Sequence, residues 1–304
     1  MNTNMKIGCG SVVFREYELE RALDAIYSAG YRYFETQATN PWCMHVVIDR
    51  DDPIAFADMA KAHGFLGVTS LWTPEGALIP AADSCVKTIS RAIEWAATAN
   101  IPIVDLGDGY CPDNMSEGEA FARLSERLLQ LIEIAEKYNV TLALEPHGSF
   151  SLTADGLVRI LSISNSKHFG INYDCANIRR AGFVETRDGT AAWRSLGVSD
   201  ETIRSAATDK FGQLSTHESI EVSTLRRVIS RVVHFHAKDL DHNGNCVALG
   251  QGCVDVSGCI DLLRGYGYTG AISLETEGGM SFDDSLRLAA ESREYLDIII
   301  KSRA

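Results

Sequence analysis

Three features common in other protein classes are missing from this 304-residue sequence. No two of its eight cysteines form a Cys-x-x-Cys pair, which argues against the usual zinc and redox motifs. No apolar run approaches the ~18 residues that a membrane-spanning helix needs. The opening Met-Asn-Thr-Asn-Met-Lys has no apolar stretch of the kind that signal peptides carry. We therefore expect a cytoplasmic protein with reduced cysteines and no membrane partner.

Positive charge is also scarce. The chain has 28 Lys and Arg against 41 Asp and Glu, so its net charge is −13. The basic residues are scattered, whereas proteins that bind nucleic acid concentrate theirs on one face. No Gly-x-Gly-x-x-Gly turn follows the first strand-like segment, so a dinucleotide site is unsupported. Nucleic acid is therefore not an expected partner.

Short apolar segments alternate with helical patterns along the whole chain. Because several segments are apolar on consecutive positions, they resemble parallel strands that are covered on both faces. Eight of them alternating with helices predict a (β/α)8 TIM barrel, formed as one domain over residues 1–304. The alternative is an open, doubly wound α/β sheet. The predicted strands lie near residues 5–13, 32–37, 66–72, 101–107, 140–146, 169–175, 231–238 and 270–276.

One interval between predicted strand ends is unusually long. Asp174 and His236 are 62 positions apart, whereas Glu145 and Asp174 are 29 apart and His236 and Glu275 are 39 apart. The extra segment, at about 179–217, is an insertion after strand 6. Because it follows the carboxyl end of a strand, we expect it over the mouth of the barrel. It is interpreted as a lid or specificity element, with a plain surface excursion or part of a dimer interface as alternatives.

Four acidic or imidazole side chains end four successive strands in the second half of the chain: Glu145, Asp174, His236 and Glu275. The carboxyl ends of barrel strands converge on one face, so these groups are expected to meet. Three carboxylates placed together would repel one another unless a cation joined them. One imidazole with three carboxylates suits Mn²⁺ best, with Mg²⁺, Co²⁺ or Zn²⁺ as alternatives. The sequence therefore predicts a divalent metal site.

Residues two positions beyond the predicted ligands share their face of the strand. Lys238 follows His236 in this way, and its ammonium is placed to stabilise a substrate oxygen or a developing alkoxide. The alternative for Lys238 is a salt bridge at the rim with Asp239 or a neighbouring residue. His147 follows Glu145 and is a candidate for proton transfer or hydroxyl binding.

Four further residues lie at or just beyond the ends of strands 2, 3 and 4. Glu35 and Asp105 are candidates for binding substrate hydroxyls. The alternative for either is a structural role or a role in supporting the ligands, which is preferred for Asp105. Trp42 and Trp72 are candidates for stacking on a sugar face, with packing in the cavity wall as the alternative.

At these residues the chain resembles the sugar phosphate isomerase/epimerase family, the xylose-isomerase-like TIM barrels. The resemblance covers essentially the whole chain and is sharpest after residue 140. The ordered His-x-Lys-Asp and Gly-Tyr-x-Gly…Glu motifs are fairly specific for the family but not for one reaction. The matching segments are residues 144–148, 172–174, 234–239, 250–255 and 267–278.

The resemblance implies roles for these residues. Glu145, Asp174, His236 and Glu275 would be the metal ligands, and Glu145 and Glu275 would also be an acid/base pair acting from opposite faces of the substrate. Many relatives have His three residues after the aspartate, where this chain has Asn177. That difference makes a mechanism based on that histidine doubtful and increases the interest of His147. Glu277 is a second candidate for the last ligand position and ranks below Glu275.

The resemblance implies a metal-dependent isomerase or epimerase that abstracts a proton next to the carbonyl of a keto-sugar or polyol. The expected partner is a small carbohydrate, and the expected assembly is a homo-oligomer. The runner-up function is a lyase or dehydratase acting on a 3-keto sugar or inosose, including C-glycoside cleavage. An endonuclease IV-like metal nuclease and a non-catalytic sugar-binding barrel are weaker alternatives. The residues do not decide whether the substrate is phosphorylated.

Overall fold

Eight parallel strands close into a barrel, which confirms the predicted TIM-barrel fold. The computed structural model describes residues 5–183 and 218–301. The last barrel strand, Ala271–Leu274, pairs with both Lys6–Gly10 and Val232–Ala237 and so closes the cylinder. The barrel strands are β1 (Lys6–Gly10), β2 (Tyr33–Gln37), β3 (Gly67–Ala77), β4 (Ile103–Gly107), β5 (Thr141–Glu145), β6 (Phe169–Asp174), β7 (Val232–Ala237) and β10 (Ala271–Leu274).

Helices cover the outside of this barrel. Their buried faces pack with the outward side chains of the strands into one apolar core. The helices within the described residues are α1 (Leu19–Ser28), α2 (Pro53–Ala62), α3 (Cys85–Thr98), α4 (Glu117–Tyr138), α5 (Ala154–Leu161), α6 (Cys175–Phe183), α7 (Ile220–Val228), α8 (Val256–Tyr266) and α9 (Phe282–Lys301). None of them is long and apolar enough to cross a membrane.

Local sequence signals set the starts of several helices. Asp52 accepts hydrogen bonds from two backbone N–H groups of α2, and Pro53 occupies the first helical turn. Ser116 and Glu119 form a reciprocal capping box at the start of α4. Asp255 caps α8 through the N–H of Gly258. These caps fix where the chain leaves each loop on the strand-end face of the barrel.

Three details differ from the sequence expectation. Strand β1 ends at Gly10, and Ser11–Phe14 form a 3-10 helix where a longer strand was predicted. Strand β3 continues to Ala77, beyond its predicted end. A short antiparallel hairpin, β8 (Asp239–Leu240) with β9 (Cys246–Val247), follows β7.

The predicted insertion begins within a helix. Residues 179–183 belong to α6, and the remainder of the 179–217 segment lies outside the described residues. Its interpretation as a lid, a surface excursion or part of a dimer interface therefore stays a prediction.

Candidate metal centre

The four predicted ligands meet at the carboxyl end of the barrel. Glu145 and Asp174 are the last residues of β5 and β6, His236 lies near the end of β7, and Glu275 directly follows β10. One ligand atom from each lies within 4.8 Å of the others. Their side chains are buried, with the residues between 0% and 7% exposed. The adjacent strands thus bring three carboxylates and one imidazole to a single point.

Three polar atoms of this cluster have no hydrogen-bond partner although they are buried: Asp174 Oδ2, His236 Nδ1 and Glu275 Oε2. Buried polar atoms are almost always hydrogen-bonded, so each such atom requires an explanation. A divalent cation would be coordinated by lone pairs of this kind. The donor set, oxygen-rich with one nitrogen and no thiolate, matches Mn²⁺ and similar cations. The residues present therefore fit a divalent metal.

Lys238 lies against the same cluster and is itself buried, with 2% of its surface exposed. Its Nζ is 2.9 Å from Asp174 Oδ2 and also forms an ion pair with Glu275 Oε2, although neither contact has hydrogen-bond geometry. A hydrogen bond of 3.2 Å joins Nζ to Glu277 Oε1. Burial would lower the pKa of Lys238, but the three carboxylates outweigh it and hold that pKa well above its ordinary value. The salt bridge suggested for Lys238 and Asp239 is therefore replaced by one with the ligand carboxylates.

Glu277 lies at the outer edge of the cluster. Its Oε1 accepts a hydrogen bond of 2.5 Å from Arg180 Nη1, and its Oε2 lies 2.8 Å from the thiol of Cys246. Burial would raise the pKa of Glu277, but Lys238 and Arg180 hold it well below its ordinary value. Glu277 is thus an anionic anchor for two cations, consistent with its second rank as a ligand.

His236 contacts acidic groups through both ring nitrogens. Nδ1 lies 3.5 Å from Glu145 Oε1 and 4.0 Å from Asp174 Oδ2. Nε2 lies 2.9 Å from Glu35 Oε2, beneath the cluster. Burial opposes the imidazolium, but Glu35 and Glu145 raise the pKa of His236 well above its ordinary value. Glu35, considered above as a hydroxyl-binding residue, is instead a partner of His236.

Glu145 is held by an amide. Asn177 Nδ2 donates a hydrogen bond of 2.9 Å to Glu145 Oε1, and the Asn177 backbone N–H donates one of 2.8 Å to Asp174 Oδ1. Burial raises the pKa of Glu145 to about 8, although His236 acts in the opposite direction. Without a cation, burial therefore favours the protonated form of Glu145, and a divalent cation at the cluster would favour the carboxylate.

The loop after β5 carries His147 and is fixed by a buried carboxylate. Asp108 accepts hydrogen bonds from the backbone N–H groups of Phe150 and Ser151 and from the Ser151 hydroxyl, at 2.6 to 3.0 Å. The Ser151 oxygen in turn accepts the backbone N–H of His147 at 2.8 Å. Asp108, directly after the neighbouring strand β4, thus fixes the geometry of the loop after β5.

His147 itself is exposed to solvent within the mouth. Its ring lies beside Trp72, with the ring centroids 5.8 Å apart. Surrounding protein and the charge of Lys238 lower its pKa below the ordinary value for histidine. Trp42 is also exposed, at 43%, and stacks on the guanidinium of Arg15 at 4.5 Å. The two tryptophans therefore occupy wall positions near strand ends, where either could contact a substrate.

Asp239 fixes the hairpin loop on the opposite side. Its carboxylate accepts backbone N–H groups of Leu240, Gly250, Gly252 and Val254, all at 2.9 to 3.0 Å. The Gly250-Gln251-Gly252 turn is glycine-rich, as phosphate-binding turns often are. Because Asp239 already occupies its N–H groups, this turn has a structural role.

Sequence reasoning missed several residues that complete the site. Asp108 and Asp239 hold the loops, Arg180 and Cys246 contact Glu277, and Asn172 contacts His236. Asn172 and Asp239 lie within the family-like segments 172–174 and 234–239, but the sequence does not show which groups they contact.

Comparisons with known proteins identify the family of the chain. The family model described as "Xylose isomerase-like TIM barrel" matches residues 23–299. A comparison with curated protein sequences gave no match. Solved structures are therefore compared by their shape.

Three similar structures illustrate the range of activities in this fold. L-ribulose 3-epimerase is 16% identical, with a TM-score of 0.71 and coverage of 98% of this chain and 95% of that one. The "probable 3-DHS dehydratase" of Bacillus anthracis is 17% identical, with a TM-score of 0.65 and coverage of 96% and 99%. A zinc-containing structure of the IOLI protein is 14% identical, with a TM-score of 0.70 and coverage of 98% and 99%. At these identities the similarity shows the fold. The family-model match, which spans nearly the whole chain, shows that this protein belongs to the xylose isomerase-like TIM-barrel family.

Proposed function

We propose that this protein is a divalent-metal-dependent epimerase or isomerase that abstracts a proton next to the carbonyl of a keto-sugar or related polyol. The observation that carries the proposal is the group of Glu145, Asp174, His236 and Glu275, whose ligand atoms lie within 4.8 Å of one another. Three of those residues present buried polar atoms without hydrogen-bond partners. We assign the four as the metal ligands and Mn²⁺ as the preferred ion.

A bound divalent cation would act as a Lewis acid that stabilises negative charge on a substrate oxygen. The protein groups then supply proton transfer. We assign Glu145 to accept the carbon-bound proton and Glu275 to return a proton from the other side, because both are carboxylates of the cluster. Asn177 keeps Glu145 oriented through its 2.9 Å hydrogen bond.

Two cavity residues complete the proposed chemistry. Lys238 places an ammonium beside Asp174 and Glu275, where it can stabilise a substrate oxygen. His147, exposed in the mouth and with a lowered pKa, is placed to bind a hydroxyl or carry a proton. Their catalytic roles are part of the proposal.

Solvent deuterium provides the test. Chelator-stripped protein reloaded with Mn²⁺ is incubated in D₂O with a panel of free keto-sugars and inososes, and the products are examined by NMR and mass spectrometry. The proposal predicts incorporation of deuterium at the carbon next to the carbonyl, with all carbons retained in an epimer or an aldose–ketose pair. A panel that includes phosphorylated sugars and shows no metal-dependent exchange would contradict it.

The runner-up is a lyase that uses the same first step and then expels a β-leaving group. The structural similarity to a "probable 3-DHS dehydratase" supports keeping it. Release of water or an aglycone in the same assay, in place of an epimer, would identify this reaction.

The remaining assignments are proposals of the same kind. We infer one domain over residues 1–304, a cytoplasmic location, a carbohydrate substrate and a homo-oligomer. Size-exclusion chromatography with light scattering tests the last of these.

A further inference from the structure

A layer of polar side chains lies inside the barrel, directly beneath the metal centre. TIM-barrel interiors are mostly filled by branched apolar residues, so buried polar groups in this position need partners. Each member of the layer is 2% exposed or less. The layer comprises Glu35, Ser70, Asp105, Asn172, His234 and Ser273.

Glu35 joins this layer to the metal centre. It lies on β2, across the barrel from His236 on β7, and the two residues are 201 positions apart in the sequence. Glu35 Oε2 is 2.9 Å from His236 Nε2 and accepts a further hydrogen bond of 3.3 Å from the Ser70 hydroxyl. The other nitrogen, Nδ1, points at Glu145 and Asp174.

This contact determines which ring nitrogen can bind a metal. A carboxylate accepts hydrogen bonds and cannot donate them, so His236 must carry its proton on Nε2 when it faces Glu35. A neutral imidazole has only one N–H group, and Nδ1 is then left with a lone pair. That lone pair is directed toward the cluster of carboxylates. Ligating histidines in general depend on a hydrogen bond at their second nitrogen for tautomer and orientation.

Two neighbours surround this contact without replacing it. The Asn172 amide lies 3.0 Å from both His236 Nε2 and His234 Nδ1. A proton on Nε2 requires the amide oxygen of Asn172 to face His236, with its NH₂ group donating to His234 Nδ1. Glu35, His234 and His236 are also close enough to hold an ion of their own. Such an ion would require His236 to bind metal through both nitrogens and lose both protons, so the hydrogen bond is the simpler arrangement.

We propose that Glu35 is a positioning residue that fixes the tautomer and ring orientation of His236 and thereby sets the affinity of the centre for its metal. This inference rests on the proposed metal-dependent function and deepens it. Glu35 acts through His236 and needs no contact with substrate.

The test measures metal binding without an activity assay. Full-length, chelator-stripped protein is titrated with Mn²⁺ alone, and free Mn²⁺ is followed by electron paramagnetic resonance. Glu35→Gln is expected to weaken Mn²⁺ binding about 10- to 100-fold, the usual effect of removing such a partner. Glu35→Asp keeps the charge and is expected to recover part of the loss. Asp105→Asn is the comparison variant, because Asp105 is a buried carboxyl of the same layer that forms no hydrogen bond or ion pair with His236 among the described residues and interacts with it only through longer-range electrostatics.

The outcomes separate the two proposals. The role of Glu35 would be overturned if Glu35→Gln bound Mn²⁺ with an affinity within twofold of the wild type. It would also be overturned if Asp105→Asn lost as much Mn²⁺ affinity as Glu35→Gln. If Glu35→Gln does not fold, ¹⁵N NMR of the histidines in the Zn²⁺-loaded wild type provides the test. For His236 we expect the metal on Nδ1 and a proton on Nε2. The reverse arrangement would overturn the inference. If Glu35→Gln weakens Mn²⁺ binding as expected but the wild type turns over no sugar, the proposed function fails and the role of Glu35 stands.

Discussion

Replacing Asp239 by asparagine should destabilise the protein strongly although the change is isosteric. Oδ1 of Asp239 accepts the N–H groups of Leu240 and Val254, and Oδ2 accepts those of Gly250 and Gly252. An asparagine amide has one oxygen, so either orientation places its NH₂ group against two backbone N–H donors. Two buried hydrogen bonds are lost in both cases.

The size of the effect follows from those two bonds. A hydrogen bond to a charged group contributes ~1.5–3 kcal/mol, so the loss is about 3–6 kcal/mol. At roughly 2 °C per kcal/mol for a domain of this size, the melting temperature should fall by about 6–12 °C. Gly252→Ala should have a similar effect, because an added Cβ would collide with Asp239 Oδ1 and the carbonyl of Leu240.

Differential scanning fluorimetry of Mn²⁺-loaded protein measures this shift, with circular dichroism to confirm the fold. Asp241→Asn is the matched control two residues away. Asp241 Oδ1 accepts the N–H groups of Asn243 and Asn245, and an amide oxygen there preserves both. Asp241 Oδ2 accepts only the exposed side-chain amide of Asn245 at 3.0 Å, so the substitution loses one exposed hydrogen bond. Asp241→Asn should therefore melt within about 2 °C of the wild type, a loss below ~1 kcal/mol. If Asp239→Asn also melted within that range, the four-donor arrangement would not be what holds the loop.

Three other predictions concern the site. Glu145→Gln should lower turnover by roughly 10²- to 10⁴-fold while circular dichroism stays unchanged, because it removes the proposed proton acceptor; near-normal turnover would remove Glu145 from the mechanism. Treatment with EDTA should lower activity and melting temperature together, and Mn²⁺ at ~100 times its dissociation constant should restore about 2.7 kcal/mol; no response to chelation would contradict a metal centre. Burial and the charge of Glu35 raise the pKa of Asp105 to about 7. The folded protein therefore binds this proton more tightly than the unfolded chain, whose Asp pKa is ~3.9, and stability from this group is lost as pH rises from about 4 to 7. Asp105→Asn should flatten that part of a chemical-denaturation pH profile measured with Mn²⁺ present, and an unchanged profile would show that Asp105 is ionised throughout.

The sequence was sufficient for the fold and for the candidate ligands because both have a periodic signal. Strand and helix patterns alternate at regular intervals, and Glu145, Asp174 and Glu275 each end or directly follow a strand. Parallel closure then brings consecutive strand ends together, so four positions in the sequence become one cluster.

The partners of these residues could not be predicted in the same way. Glu35 and His236 meet across the barrel from strands that are not neighbours, and no local pattern records that contact. The loop conformations could not be predicted either. Asp108 and Asp239 accept hydrogen bonds from backbone N–H groups, and the positions of those groups depend on the folded chain. Lys238 was correctly placed near the site, but its pairing with Asp174 and Glu275 depends on side-chain geometry.

Barrel closure has a consequence for the order of events in the cell. Strand β10, which precedes Glu275, is the last strand to emerge during synthesis, while Glu35 emerges among the first residues. A nascent chain therefore lacks the complete chelating set until the final strand inserts between β1 and β7. Loading of the proposed divalent ion would then follow synthesis of the last strand, since the earlier strands carry only three of the four assigned ligands.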